Sequence, residues 1–412
     1  MMNQKKIIGC FVLCGFFSLG IAQNKGLTNA EIPGKPSDPK RKLSETVPVW
    51  PKGSGKDFSG AYPEIPPVKN IDESSTVQLT LPKIIFGMTG TTTKVYFKNL
   101  VCTYDKSILR FQVDSKVGKS NDLFWEFTPQ QPGDYPLSIT VKDTGGRVVG
   151  KAETVLKVAH VTKGNDRNAV IMIIGDSIMG GAQIANDFQA GLLKRGNPNI
   201  RLMGSHCGGG KPLVIGKAAV EAYGGWTWGA FISLWRSGEG YNRRTKFMKQ
   251  EKGKLVFAVQ DYLNKYNAGK APDVVIIYLG CNDIALGKMN TIEKRISDSF
   301  RNRKIFLTEL RKAMPNTIFA LALLAPANAR EAAFERNYKG EIPCQQYHYN
   351  QFTYVKRTLQ EFQNDKNLSL IPFYVSVDDM ADYPEFNAVH PNRTGQQNLA
   401  LQLEMWFKNI VK

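Results

Sequence analysis

Histidine and cysteine are scarce in this chain: four and six residues among 412. No two cysteines stand at the Cys-x-x-Cys spacing of zinc and redox sites, so the sequence suggests neither a metal centre nor a cofactor. Beyond the first two dozen residues there is no apolar run long enough to cross a bilayer. Acidic residues are also in deficit, which leaves a formal charge of +18. That charge is spread along the chain, and no basic helix with interleaved aromatics concentrates it. Nucleic acid is therefore a poor partner, and an acidic glycan or a cell envelope a better one.

The one long apolar run lies at the start, MMNQKKIIGCFVLCGFFSLGIAQ. Lys5 and Lys6 precede Ile7 to Ala22, a pattern that predicts a secretory signal peptide over residues 1–23 and an exported or periplasmic product. Ile7-Ile8-Gly9-Cys10 looks faintly like a lipoprotein box. It precedes most of the apolar run instead of ending it, which argues against a lipid anchor. Cys102, Cys207, Cys281 and Cys344 lie beyond the leader; export permits a disulfide, with Cys207 and Cys344 as one candidate pair. Residues 24–74 are rich in Pro, Lys, Gly and Ser and read as an extended linker, with Trp50 and Tyr62 as candidate anchors.

Two patterns follow. Over residues 75–160 short alternating runs such as VQLTL, TKVYFKNL and YPLSITVKD are separated by turn signals at Pro132-Gly133-Asp134 and Thr144-Gly145-Gly146. They predict a small antiparallel β-sandwich, and GDYPLSITVKDTGGRVV resembles the last hairpin of Ig-like modules. Such a module is a spacer, a packing partner or a carbohydrate binder. Over residues 168–412 apolar strand-like runs alternate with helical segments near 179–195, 254–266, 292–313, 351–365 and 395–411. This predicts a doubly wound α/β domain with a five-strand parallel sheet.

The organising stretch of that domain is Val170 to Ala182, VIMIIGDSIMGGA. Ile171 to Ile174 read as a buried strand that breaks at Gly175-Asp176-Ser177 into a helix, which puts a serine hydroxyl at the mouth of the sheet. Three landmarks follow in order: Tyr223-Gly224-Gly225-Trp226-Thr227-Trp228, Gly280-Cys281-Asn282-Asp283, and Asn387-Ala388-Val389-His390-Pro391-Asn392. A serine, a glycine, an asparagine and a histidine at these four places resemble the SGNH (GDSL-type) hydrolases, over residues 168–412.

The resemblance implies a serine ester hydrolase. Ser177 would be the nucleophile and His390 the proton carrier. The backbone N–H groups of Ser177 and Gly225 and the amide of Asn282 would form the oxyanion hole. Of the four histidines, only His390 stands in such a motif. The family's fourth block is usually Asp-x-x-His, and here Asn387 takes the Asp position. In serine proteases that exchange costs about 10⁴ in rate. The chain is therefore expected to work as a Ser–His dyad oriented by Asn387 or a backbone carbonyl, or to borrow an acid from Asp378, Asp379, Asp382 or Glu385.

Gly204 to Pro212 looks like a phosphate loop, but Ser205 stands where its first Gly belongs and Pro212 where Ser or Thr belongs. Asp176 and Asp283 are framework residues by the same resemblance. Trp226 and Trp228, with Tyr347, His348 and Tyr349 in a polar insertion over 328–350, are expected to face sugar rings. No broad apolar lid of a lipase is present. An exported enzyme of this kind with a sandwich in front looks like a carbohydrate O-acetylesterase acting on an acylated polysaccharide or oligosaccharide. The alternatives are a catalytically weak glycan-binding or adhesion protein and a general short-chain acyl esterase or lipase.

Overall fold

The computed structural model describes residues 77–102, 109–165, 167–194, 199–233 and 245–411. The leader and the linker, with Trp50 and Tyr62, lie outside the described residues. The first strands are β1 (Gln78–Leu79), β2 (Ile84–Met88), β3 (Thr93–Tyr96), β4 (Val101–Cys102), β5 (Arg110–Asp114), β6 (Lys119–Ser120), β7 (Phe124–Phe127), β8 (Gly133–Lys142) and β9 (Val148–Ala159). They form sheets of order β2-β9-β8-β5, β3-β7-β6 and β1-β4. The expectation of a purely antiparallel region is corrected: β2 pairs parallel with β9, so the larger sheet is mixed. The β8–β9 hairpin lies where the turn signal put it. The Asp143 carboxylate accepts the N–H groups of Gly145 (3.0 Å) and Arg147 (2.9 Å), the side-chain-to-backbone bonding that makes Asp a turn residue.

The strands that follow are β10 (Asn168–Gly175), β11 (Asn199–Met203), β12 (Glu221–Ala222), β13 (Met248–Glu251), β14 (Lys254–Phe257), β15 (Val274–Tyr278), β16 (Ile318–Ala322) and β17 (Leu368–Ile371). The helices are α1 (Ser177–Gly180), α2 (Gln183–Lys194), α3 (Trp228–Phe231), α4 (Val259–Asn267), α5 (Cys281–Ile284), α6 (Ile292–Ala313), α7 (Glu331–Tyr338), α8 (Cys344–Phe362) and α9 (Arg393–Ile410). A parallel sheet of order β11-β10-β15-β16-β17 stands at the centre, as expected, and the short β12 adds a sixth strand beside the end of β10. Alternation along β10 explains why the sheet is covered twice. Ile171 and Ile173 enter one apolar cluster with Phe188 of α2 and Trp406 of α9. Met172 and Ile174 enter another with Tyr262 of α4 and Phe306 of α6. A strand apolar on both faces needs helices on both faces.

Two predicted helices and the polar insertion differ from the sequence expectation. The run near 254–266 begins as strand, because Lys252 and Gly253 both take positive φ (50° and 75°) and close a two-residue hairpin between β13 and β14. The run near 179–195 breaks at Ala182 (φ 58°) into α1 and α2. The insertion over 328–350 is not a polar loop: it carries α7 and the start of α8, and Phe334, Tyr338 and Tyr347 pack together between them.

The strand-rich region packs on the last helix. Asn409 donates to the Gly87 carbonyl at 2.9 Å, and Asn99 donates to the carbonyls of Tyr374 (2.9 Å) and Val377 (2.7 Å). Ile85, Val95, Phe97 and Trp125 belong to the same apolar cluster as Leu399 and Trp406 of α9. The two regions thus share one core.

Candidate active site

Strand β10 ends at Gly175, and Asp176 caps the turn that follows by accepting the Ile178 N–H at 3.0 Å. Ser177 is thereby the first residue of α1, at the carboxyl edge of the sheet where α/β folds bind ligands. The Ser177 Oγ lies 2.8 Å from His390 Nε2. On the other side of the ring, His390 Nδ1 lies 3.1 Å from Asn387 Oδ1. That same oxygen accepts the backbone N–H groups of Val389 (3.1 Å) and His390 (2.9 Å). Two backbone donors fix which end of the amide faces the imidazole. An oxygen there requires the proton on Nδ1, which leaves Nε2 free to accept from the serine. Burial pushes the His390 imidazole below its ordinary range, toward the neutral form a base needs.

Three of the four carboxylates that could replace the missing acid are engaged elsewhere. Asp378 caps Met380 and Ala381 and holds Lys98, and Asp379 pairs with Lys98. Asp382 accepts from Asn398 and from the Asp378 N–H, and Glu385 is exposed.

The loops carrying the other expected donors follow β12 and β15, the two neighbours of β10 at this edge. Tyr223 donates its N–H to the Gly175 carbonyl at 3.0 Å, which ties the Gly-Gly turn to the strand of the serine. Gly225 has φ 76°, a conformation that a side chain would strain. Asn282 donates from Nδ2 to the Trp226 carbonyl at 3.0 Å; an amide has two such hydrogens, so one remains for a ligand.

A residue that the motifs did not single out braces this loop. Glu221 is fully buried and accepts from Tyr223 OH, Tyr262 OH (3.0 Å) and the Ser205 N–H (3.1 Å). Its burial raises its carboxyl pKa. A lone acid in the apolar run Ala219 to Tyr223, immediately before Gly-Gly, was the available signal. Asp176 and Asp283 are also buried, and burial pushes each up to about 7. Asp176 caps α1, and Asp283 accepts the Trp228 N–H at 3.4 Å.

Several expectations need correction. Trp226 and Trp228 do not face a cleft: they are 0% and 1% exposed. Trp226 stacks on Tyr223 with ring centroids 4.2 Å apart, and Trp228 donates from Nε1 to Tyr354 OH at 2.8 Å. Burial of rings this large is driven by the apolar surface they remove from water, so they act as core beneath the loop. Tyr347 is likewise buried, whereas His348 and Tyr349 are half-buried. Cys207 and Cys344 are not joined in a disulfide. The Cys344 thiol faces the Asn328 carbonyl at 3.3 Å, and Cys207 lies against Val214, so each has a separate environment.

Solved structures similar to part of this chain include a family 3 carbohydrate esterase of Clostridium thermocellum, at 19% identity over 59% of this chain and 94% of that one, TM-score 0.34. A lipase/acylhydrolase of Enterococcus faecalis matches at 15% identity, over 59% and 97%, TM-score 0.36. A carbohydrate esterase family 3 protein of Talaromyces cellulolyticus matches at 14% identity, over 59% and 98%, TM-score 0.35. No curated protein matches the sequence. Residues 171–403, more than half of the chain, match the model of the GDSL-like lipases and acylhydrolases, and the chain belongs to that family.

Proposed function

We propose that this acylhydrolase-family chain is an exported serine esterase that removes small acyl groups, acetyl first among them, from a polysaccharide or oligosaccharide. The observation that carries the reaction type is the line Ser177 Oγ, His390 Nε2, His390 Nδ1, Asn387 Oδ1, with contacts of 2.8 and 3.1 Å. His390 takes the proton of Ser177 as Oγ bonds to the ester carbonyl carbon. The carbonyl oxygen becomes an oxyanion held by the N–H groups of Ser177 and Gly225 and by the Asn282 amide. Collapse breaks the bond to the alcohol, which leaves with the proton from His390. Water then repeats the cycle on the acyl-enzyme: His390 takes its proton, its oxygen attacks, and the proton returns to Ser177 as the acid departs.

The sugar reading is supported by the leader-like N-terminus and by the Ig-like reading of the strand-rich region. The burial of Trp226 and Trp228 removes one support and favours a second reading, a short-chain esterase indifferent to sugars. The reaction type is tested with a fluorophosphonate probe. Wild type should be labelled and Ser177→Ala should not; labelling that survives the substitution removes Ser177 from the role.

A further inference from the structure

None of Ser177, Gly225, Asn282 and His390 lines a cavity of about 520 Å³ elsewhere in the fold. One wall comes from the strand-rich region, with Gln78, Asn99 and Val101. The other comes from Pro326 to Glu331 and the first turns of α8. Pro326 follows β16 closely, so the cavity sits at the carboxyl edge of the parallel sheet, where ligand sites of this architecture lie.

Its chemistry is specific. Lys98 is compensated by Asp378 at 3.6 Å and by Asp379, and both oxygens of Glu331 take the Cys344 N–H at 3.3 and 3.0 Å. The lining thus carries one cation, Lys98, against the carboxylates of Asp379 and Glu331, a net negative charge that disfavours an anionic ligand. Among the described residues, three amides of the lining have one end committed and the other left over. Gln351 donates to the Leu324 carbonyl at 3.0 Å and keeps its oxygen. Asn99 donates twice and keeps its oxygen. Gln78 accepts from Lys356 at 2.9 Å and keeps its amino group. Tyr349 and Phe352 add ring surface. Amide donors and acceptors beside aromatic faces suit hydroxyls and C–H faces together.

We propose that this cavity binds a neutral sugar unit of the polymer, as a site separate from the ester-cleaving centre. The proposal rests on the carbohydrate reading above. The two sites are joined through Asn328, which is fully buried. Its N–H donates to the Ala388 carbonyl at 2.8 Å and its Nδ2 to the Asn387 carbonyl at 3.0 Å, while its own carbonyl lies 3.2 Å from His348 Nε2 in the cavity wall. A chain seated in the cavity thus borders the segment that carries His390.

The test uses the full chain with Ser177→Ala and three unesterified β-1,4-linked hexasaccharides, of glucose, mannose and xylose, read by calorimetry and amide hydrogen exchange. At least one should bind at millimolar concentration and protect amides over 326–331 and 344–352. Ala329→Trp, or Gln345→Phe from the α8 side, should fill the cavity and weaken binding tenfold or more in whichever variant keeps its wild-type melting behaviour. No binding by any of the three, binding without protection of those segments, or tighter binding of a uronate hexasaccharide overturns the assignment. Turnover of p-nitrophenyl acetate by wild type is measured alongside. Binding without turnover sinks the esterase reading and leaves the site standing; turnover without binding sinks the site alone.

Discussion

At the scale of the residue, Asn387 decides how this site differs from its family's usual pattern. The rate loss of about 10⁴ in a serine protease whose triad aspartate becomes asparagine is a tautomer effect. Here the Val389 and His390 N–H groups hold Oδ1 toward the ring, so the productive tautomer is kept and only the stabilising charge is missing. The half-buried, neutral-leaning His390 should give an acid limb of kcat/KM below ~6.5, the ordinary histidine value. Asn387→Asp places a negative charge against Nδ1, favours the imidazolium and should move that limb upward by about one unit or more. A limb that stays where it was would remove Asn387 from the role of orienter. Glu385→Gln and Asp378→Asn should cost little, because neither carboxylate is bonded to the ring. His390→Ala should be nearly as damaging as Ser177→Ala. Asn282→Ala, which removes one proposed oxyanion donor, should lower kcat by roughly 10²–10³-fold with KM little changed, a split read from steady-state kinetics.

At the scale of the element, the Gly224-Gly225 turn owes its position to Glu221. Three donors converge on one carboxylate, and Glu221→Gln brings an amide N–H against at least one of them. The expected cost is about 1–3 kcal/mol, read as a fall in Tm, together with a lower kcat from a displaced Gly225. A variant with a lower Tm and unchanged kcat would reduce Glu221 to a core residue. This brace shows where the sequence was readable and where it was not. The strand–Gly-Asp-Ser–helix junction and the spacing of Asn387 from His390 are local, so pattern and spacing revealed them. The fate of Trp226 and Trp228 is not local. Phe231, Phe306 and Tyr354 arrive from α3, α6 and α8 to bury them, and nothing in YGGWTW says whether those rings turn outward. The same holds for α8, whose buried Tyr347 and Phe352 sit in a stretch that reads as polar.

At the scale of the whole molecule, the strand-rich region is built into the catalytic fold. A chain beginning near His160 would bare the α9 surface that Ile85, Val95 and Trp125 share with Trp406. It should melt at lower temperature and lose turnover even on small soluble esters, because the helix it uncovers follows directly on the His390 loop. Asn99→Ala is the milder version: loss of two hydrogen bonds across the contact should lower Tm. Retention of full stability and turnover by the shortened chain would make the region a spacer after all. The placement of α9 also fixes an order of events in biosynthesis. The strand-rich region leaves the ribosome first, and the helix that completes its core is the last of the described elements, Arg393–Ile410. Until that helix is available, the strand surface that packs on it lacks its native cover, so this part of the chain finishes folding only when the last described helix docks.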